Sequence, residues 1–184
     1  MEKKRLLLIV DPQVDFITGS LPVPGAEDAM NALARYIKAH DGYYDARIVT
    51  NDWHPLDHCS FKPNGGQWPV HCVQHSEGAA TWWPLLEALY STQGAVEFLT
   101  KGDDKDREEY SIMQNQDSGG FLTWLLADGK KYAEVHVCGL AGDVCVLNTL
   151  RDLQPLCGDR ITVLEELAPS IDGGKALSDY LAGR

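Results

Sequence analysis

Arg5-Leu6-Leu7-Leu8-Ile9-Val10-Asp11-Pro12-Gln13-Val14-Asp15-Phe16 is the stretch on which the fold turns. Leu6 to Val10 form an unbroken apolar run closed by a carboxylate and a proline. A run this short, apolar at every position, suits a strand buried on both faces; a half-exposed strand would alternate, and a core helix would need more residues. It is far short of the roughly 20 apolar residues that cross a bilayer. Met-Glu-Lys-Lys-Arg ahead of it has the charge order of a signal peptide, but Asp11 and Pro12 arrive too soon for one. The segment reads as a first strand that delivers Asp11 to its carboxyl end.

Outward from this strand, similar runs end at Val49, Leu99, Val137 and Val163. Between them Ala26, Met30, Leu33, Ala34 and Ile37 fall on one face of a helix, and Phe121, Leu122, Leu125 and Leu126 on one face of another. Strands alternating with helices predict a parallel sheet joined by right-handed crossovers and covered on both sides, a Rossmann-like α/β fold in three α/β/α layers. No repeat or compositional break divides the chain, so one domain over residues 1–184 is expected. Ligands of such sheets sit beyond the carboxyl ends of the strands. Asp11, Asp52 and Lys101 end the first three strands there, and Cys145 follows the fourth. Two long connections, 52–80 and 101–118, interrupt the alternation, and loops of that length are usually functional or mobile.

Composition narrows the partners. A net charge of -11, with no basic cluster beyond residue 5, argues against nucleic acid, whose phosphates must be neutralised by Lys and Arg. No membrane partner is expected either. Cysteines at 59, 72, 138, 145 and 157, an odd number without an export signal, predict reduced thiols and a cytoplasmic setting.

Cys145 lies in Cys138-Gly139-Leu140-Ala141-Gly142-Asp143-Val144-Cys145-Val146, where a strand breaks at glycines and a helix begins near Asp143. Amides and the positive dipole end of a first helical turn favour thiolate over thiol and can bind a developing oxyanion. Most free cysteines are simply buried, and Cys59, Cys138 and Cys157 keep that reading. Asp11 can orient or deprotonate a thiol across the cleft, although a strand-end Asp commonly caps a turn. Lys101 can stabilise a thiolate or a tetrahedral intermediate. Asp52 and His54, two apart in an extended segment, face the same side. His71 would complete a two-histidine, one-carboxylate set with open positions, suited to Zn²⁺ or Fe²⁺. His58, His75 and Cys72 are expected to support that set. Phe16 and Trp68 can sandwich a flat ring. Trp53, Trp82, Trp83 and Trp124 are assigned to the core, and the charge run Asp103 to Glu109 to a solvated loop.

Taken in order, Asp11-Pro12-Gln13-Val14-Asp15-Phe16, Asp52-Trp53-His54-Pro55, Trp68-Pro69-Val70-His71-Cys72, Thr100-Lys101-Gly102 and Gly139 to Cys145 resemble the nicotinamidases of the isochorismatase-like hydrolase superfamily. The Asp, Lys and Cys fragments are common to the superfamily; the histidine motifs point to the nicotinamidase branch. The resemblance implies hydrolysis of nicotinamide to nicotinate and ammonia, as in NAD salvage, through a thioester on Cys145. Asp11 would be the general base and Lys101 its electrostatic partner. Asp52, His54 and His71 would hold one divalent ion, Zn²⁺ being expected, with Fe²⁺ and Mn²⁺ accepted by the same ligands. Phe16 and Trp68 would clasp the small aromatic substrate. The family also implies a cis peptide before Ala141, whose N–H would join that of Cys145 in an oxyanion hole. Gly142 and Val144 depart from the Thr and Tyr common in the family, which bears on the pocket wall. The chain stops at Arg184, where relatives often add a strand, so five or six strands are expected; relatives are often oligomers, and a homo-oligomer is one expectation. Another small amide as substrate, or a silent metal-binding domain, are the competing readings.

Overall fold

The structure, a computed structural model, describes residues 4–129 and 131–183. The expected domain of 1–184 also includes 1–3, 130 and 184, which lie outside the described residues. The opening run forms β1 (Arg5–Val10), with Leu6 to Val10 all fully buried. Burying one such side chain contributes roughly 1.5–3 kcal/mol, so this strand alone anchors the core. It is followed by α1 (Val14–Ile17), α2 (Ala26–Ala39), β2 (Ala46–Asp52), α3 (Trp83–Ser91), β3 (Ala95–Lys101), α4 (Gln116–Leu126), β4 (Glu134–Gly139), α5 (Leu147–Cys157), β5 (Ile161–Val163) and α6 (Lys175–Ala182). The described residues form one five-stranded sheet in the order β3-β2-β1-β4-β5. Every pairing is parallel.

The alternating pleat of β1 supplies both faces. Leu7 and Ile9 pack with α2 and α3 through Met30, Leu33, Ile37, Leu85 and Leu89. Leu6, Leu8 and Val10 pack with α4, α5 and α6 through Leu122, Leu126, Leu150, Leu153 and Leu177. These are the three layers read from the pattern. The helical stripe of α2 is buried throughout, and that of α4 is buried except at half-buried Phe121.

Two tryptophans depart from expectation. Trp83 and Trp124 are 70% and 69% exposed, on the outer faces of α3 and α4, while Trp53 and Trp82 are partly buried against the core. Apolar content alone does not place a residue inside, since much of any folded surface is apolar.

The strand order positions the site. From β1 the chain moves toward β2 and β3, and from β4 it moves the other way to β5, so a crevice opens between the carboxyl ends of β1 and β4. Val10 pairs with Gly139 there, and a Cβ on Gly139 would collide with the Val10 backbone. That close approach sets Asp11 opposite the Cys145 turn. Asp11 has φ 46°, a left-handed conformation that Asp tolerates better than most residues and that clusters at functional sites.

Candidate active site

Asp11, Lys101 and Cys145 come from the ends of three strands and meet in the crevice. The Lys101 ammonium is 2.9 Å from Asp11 Oδ2 and 3.6 Å from Cys145 Sγ, and it also pairs with Asp52 Oδ1. All four residues are buried. The Thr50 hydroxyl donates to Asp11 Oδ1 at 2.6 Å. Asp11 Oδ2 receives the Lys101 ammonium. Both carboxylate oxygens are thereby held.

The two carboxylates beside Lys101 titrate in opposite senses. Burial lifts the Asp11 carboxyl above the usual carboxylate range, with Lys101 opposing. Burial acts the same way on Asp52, but Lys101 and His54 outweigh it and hold the group well below that range. Divergent neighbouring acids divide labour: Asp52 stays an anion, while Asp11 can trade a proton. Burial also works against the Lys101 ammonium, and Asp11 with Asp52 overcomes it, so the lysine stays charged. At Cys145 burial opposes the thiolate that the helix terminus favours. Burial raises the thiol well above its ordinary value, with Lys101 opposing and Asp11 and Asp52 adding to the rise. Burial thus favours the protonated thiol, and a base has to offset it.

Asp52, His54 and His71 fit a divalent cation. Their ligand atoms lie within 4.8 Å of one another, all in buried residues. His54 Nδ1 donates to the Gly102 carbonyl oxygen at 2.9 Å and His71 Nδ1 to that of Pro69 at 2.7 Å. A carbonyl only accepts, so each ring can leave Nε2 free, and both Nε2 atoms face Asp52 Oδ2 at 3.5 and 3.9 Å. Burial disfavours charge on both rings; at His54 the Asp52 carboxylate overcomes it and raises the pKa, while at His71 burial prevails and lowers it. Gly102, at φ +71°, admits no side chain, since a Cβ would strike the His54 ring. The three neighbours take different places. His58 stacks on His54 at 4.1 Å and is bonded through both nitrogens, to Ser60 Oγ and the Arg107 carbonyl. His75 packs edge-on against Trp53, and the Cys72 N–H donates to Asp15.

The site opens into a pocket on which Cys145, Ala141, Asp52, His71, Phe16 and Trp68 all border. Asp11, Lys101 and His54 lie behind this lining. Phe16 sits 5.5 Å from the His71 ring, and Trp68 is held by an indole N–H donated to the Tyr110 hydroxyl at 3.1 Å. The Leu140–Ala141 peptide is cis. The solvated reading of Asp103 to Glu109 holds only in part. Glu109 is buried, accepting from the Gly102 N–H at 2.8 Å and from Asn115, and Glu108 faces the pocket with its carboxyl raised by burial and by Asp52. Charge density alone hid this fold-back. Leu21, Val23, Glu108, Tyr110 and Ile171 line the pocket without a strand-end signal in the sequence. Gln13 lay within a recognised motif, yet its role appears only through partners distant in the chain.

The Isochorismatase domain family matches residues 5–172, so the fold and its strand-end chemistry define an isochorismatase-domain hydrolase. The chain is 32% identical to the nicotinamidase of Escherichia coli (strain K12), over 88% of this chain and 81% of that protein. It is similar to the pyrazinamidase of Pyrococcus horikoshii in complex with zinc, at 31% identity and a TM-score of 0.81, covering 97% of this chain and 95% of that one. It is also similar to PnC1 from L. infantum in complex with nicotinate, at 33% identity and a TM-score of 0.82, covering 98% and 88%. The chain belongs to the nicotinamidase branch of that family.

Proposed function

We propose that this chain hydrolyses nicotinamide to nicotinate and ammonia, in NAD salvage, with Cys145 as the nucleophile. The observation that carries the reading is the buried convergence of Asp11, Lys101 and Cys145 beside Asp52, His54 and His71. Phe16 and Trp68 hold the pyridine ring so that its carboxamide faces Cys145. Asp11 takes the thiol proton as Sγ bonds to the carboxamide carbon. The backbone N–H groups of Ala141 and Cys145 receive the oxygen that becomes negative. Asp11 then returns its proton to the departing nitrogen; the C–N bond breaks, ammonia leaves and a thioester remains. A water molecule attacks that thioester, Asp11 takes its proton, and the released sulfur regains one. Lys101 stays charged throughout and steadies Asp11 and the sulfur.

Asp52, His54 and His71 would hold one divalent ion, with zinc the expected metal. When bound, it would supply a Lewis acid to the substrate. Residues 1–184 act as one domain, in the cytoplasm, on a small molecule rather than nucleic acid. Ammonia release from nicotinamide tests the reading: Cys145→Ala is expected to lower kcat by at least ~10³-fold, and a variant turning over at the normal rate would refute the mechanism.

A further inference from the structure

The turn that carries Cys145 is tied to the segment 168–174, and together they form one wall of the pocket. Asp143, two residues before the thiol, accepts the Ile171 N–H on Oδ1 at 2.9 Å and the Asp172 N–H on Oδ2 at 3.0 Å. Beside it the Gly142 N–H donates to the Pro169 carbonyl oxygen at 2.8 Å. A Cβ on Gly142 would overlap the Ala168 carbonyl oxygen and the Ser170 hydroxyl, so the bare glycine lets the segment lie directly on the turn. Ile171, held in this way, borders the pocket beside Val144 and Cys145 while remaining 44% exposed, which places it at the mouth. Between the short 3₁₀ turn Glu165–Leu167 and α6 the segment has no helix or strand of its own. Its position at Ile171 therefore depends on the Asp143 carboxylate, and two charge-assisted bonds make a firm tie.

We infer that Asp143 is a positioning residue for the outer wall of the pocket, and that Ile171, held by it, limits the size of ring substituent that a substrate carboxamide can carry. The size limit rests on the amide hydrolysis proposed above; the tie does not. An apolar wall discriminates by contact: one methylene more or less is worth about 10–200-fold in kcat/KM. Loss of the tie loosens the wall without touching the reacting atoms, so it should act mainly on KM.

The test uses the zinc-loaded wild type, Asp143→Ala, Ile171→Ala and the double variant, with nicotinamide and a ring-alkylated nicotinamide as substrates. Hydrogen–deuterium exchange follows the amides of residues 171 and 172 in parallel. Ile171→Ala is expected to raise kcat/KM for the alkylated amide relative to nicotinamide by about 10-fold or more. Asp143→Ala should move the ratio the same way, chiefly through KM. The double variant should fall short of the product of the two effects, because both act through one contact. Exchange at 171 and 172 should quicken in Asp143→Ala and not in Ile171→Ala. An unmoved substrate ratio in Ile171→Ala would overturn the size limit, and unchanged exchange in Asp143→Ala would overturn the tie. Should the wild type hydrolyse neither amide, the size limit falls with the reading beneath it, and exchange alone decides the tie.

Discussion

Asp11 and Asp52 flank the same ammonium yet sit on opposite sides of the ordinary carboxylate range. The difference lies in their further neighbours: Asp52 has His54 and His71 close by, while Asp11 has the Thr50 hydroxyl and the Cys145 thiol. A base must be unprotonated in the free enzyme, so kcat/KM should fall as pH drops through the raised Asp11 value, above the ~3.9 of an unperturbed aspartate. Thr50 stabilises the anion, so Thr50→Val, which keeps the shape and removes the donor, is expected to move that acid limb to higher pH. A pH–rate profile of the two enzymes decides it; an unmoved limb would count against Asp11 as the base. The identities of Asp11, Lys101 and Cys145 were legible in the sequence because the first two stand at strand ends and the third in the glycine-rich turn that follows a strand. The upward pull of burial on the thiol was not, because it depends on solvent exclusion and on charged groups from other strands.

At the level of elements, the ends of β1 and β2 are locked by one side chain. Gln13 Oε1 accepts the Asp52 N–H at 2.7 Å, and its Nε2 donates to the carbonyl oxygens of Asp52 at 2.8 Å and Ala79 at 3.0 Å. Gln13 is fully buried, so its loss strands those backbone groups without water. An unsatisfied buried group costs ~1–3 kcal/mol. Gln13→Ala should therefore destabilise the fold by about 2–4 kcal/mol and weaken zinc binding, since it frees the strand end that carries Asp52. Urea melts and calorimetric zinc titration measure the two effects. Unchanged zinc affinity would reduce Gln13 to a purely structural role. Its motif was readable, but its partners lie 39 and 66 residues away, beyond any local pattern.

Across the whole molecule, the end of the sheet opposite the site carries its own polar network. The Tyr44 hydroxyl bridges His136 Nδ1 at 2.7 Å and the Tyr36 hydroxyl at 2.8 Å, joining β4, the lead into β2 and α2. Burial lowers the His136 pKa, with Glu134 opposing and Arg5 assisting. The folded value is thus below the unfolded one of ~6.5. The neutral ring's contribution to stability is complete above that unfolded value and is lost as pH falls through the lowered folded value. Thermal unfolding of wild type and His136→Gln across acid pH should show a decline in Tm that is steeper for the wild type; equal slopes would refute this account.

The sequence by itself determined the alternation of strands and helices, the burial of β1, the placing of Asp11, Asp52 and Lys101 at strand ends, and that of Cys145 in the turn after the fourth strand. Those features follow from side-chain periodicity and from the rule that such sheets bind ligands at their carboxyl edge. Only the tertiary structure decided the strand order that faces β1 with β4, the return of Glu108 and Glu109 from a charged loop to the site, the exposure of Trp83 and Trp124, and the hold of Asp143 on Ile171. Each of these depends on how elements pack against one another or against solvent. Their energies are set by distance, solvent exclusion and hydrogen-bond geometry, which no local pattern of residues encodes.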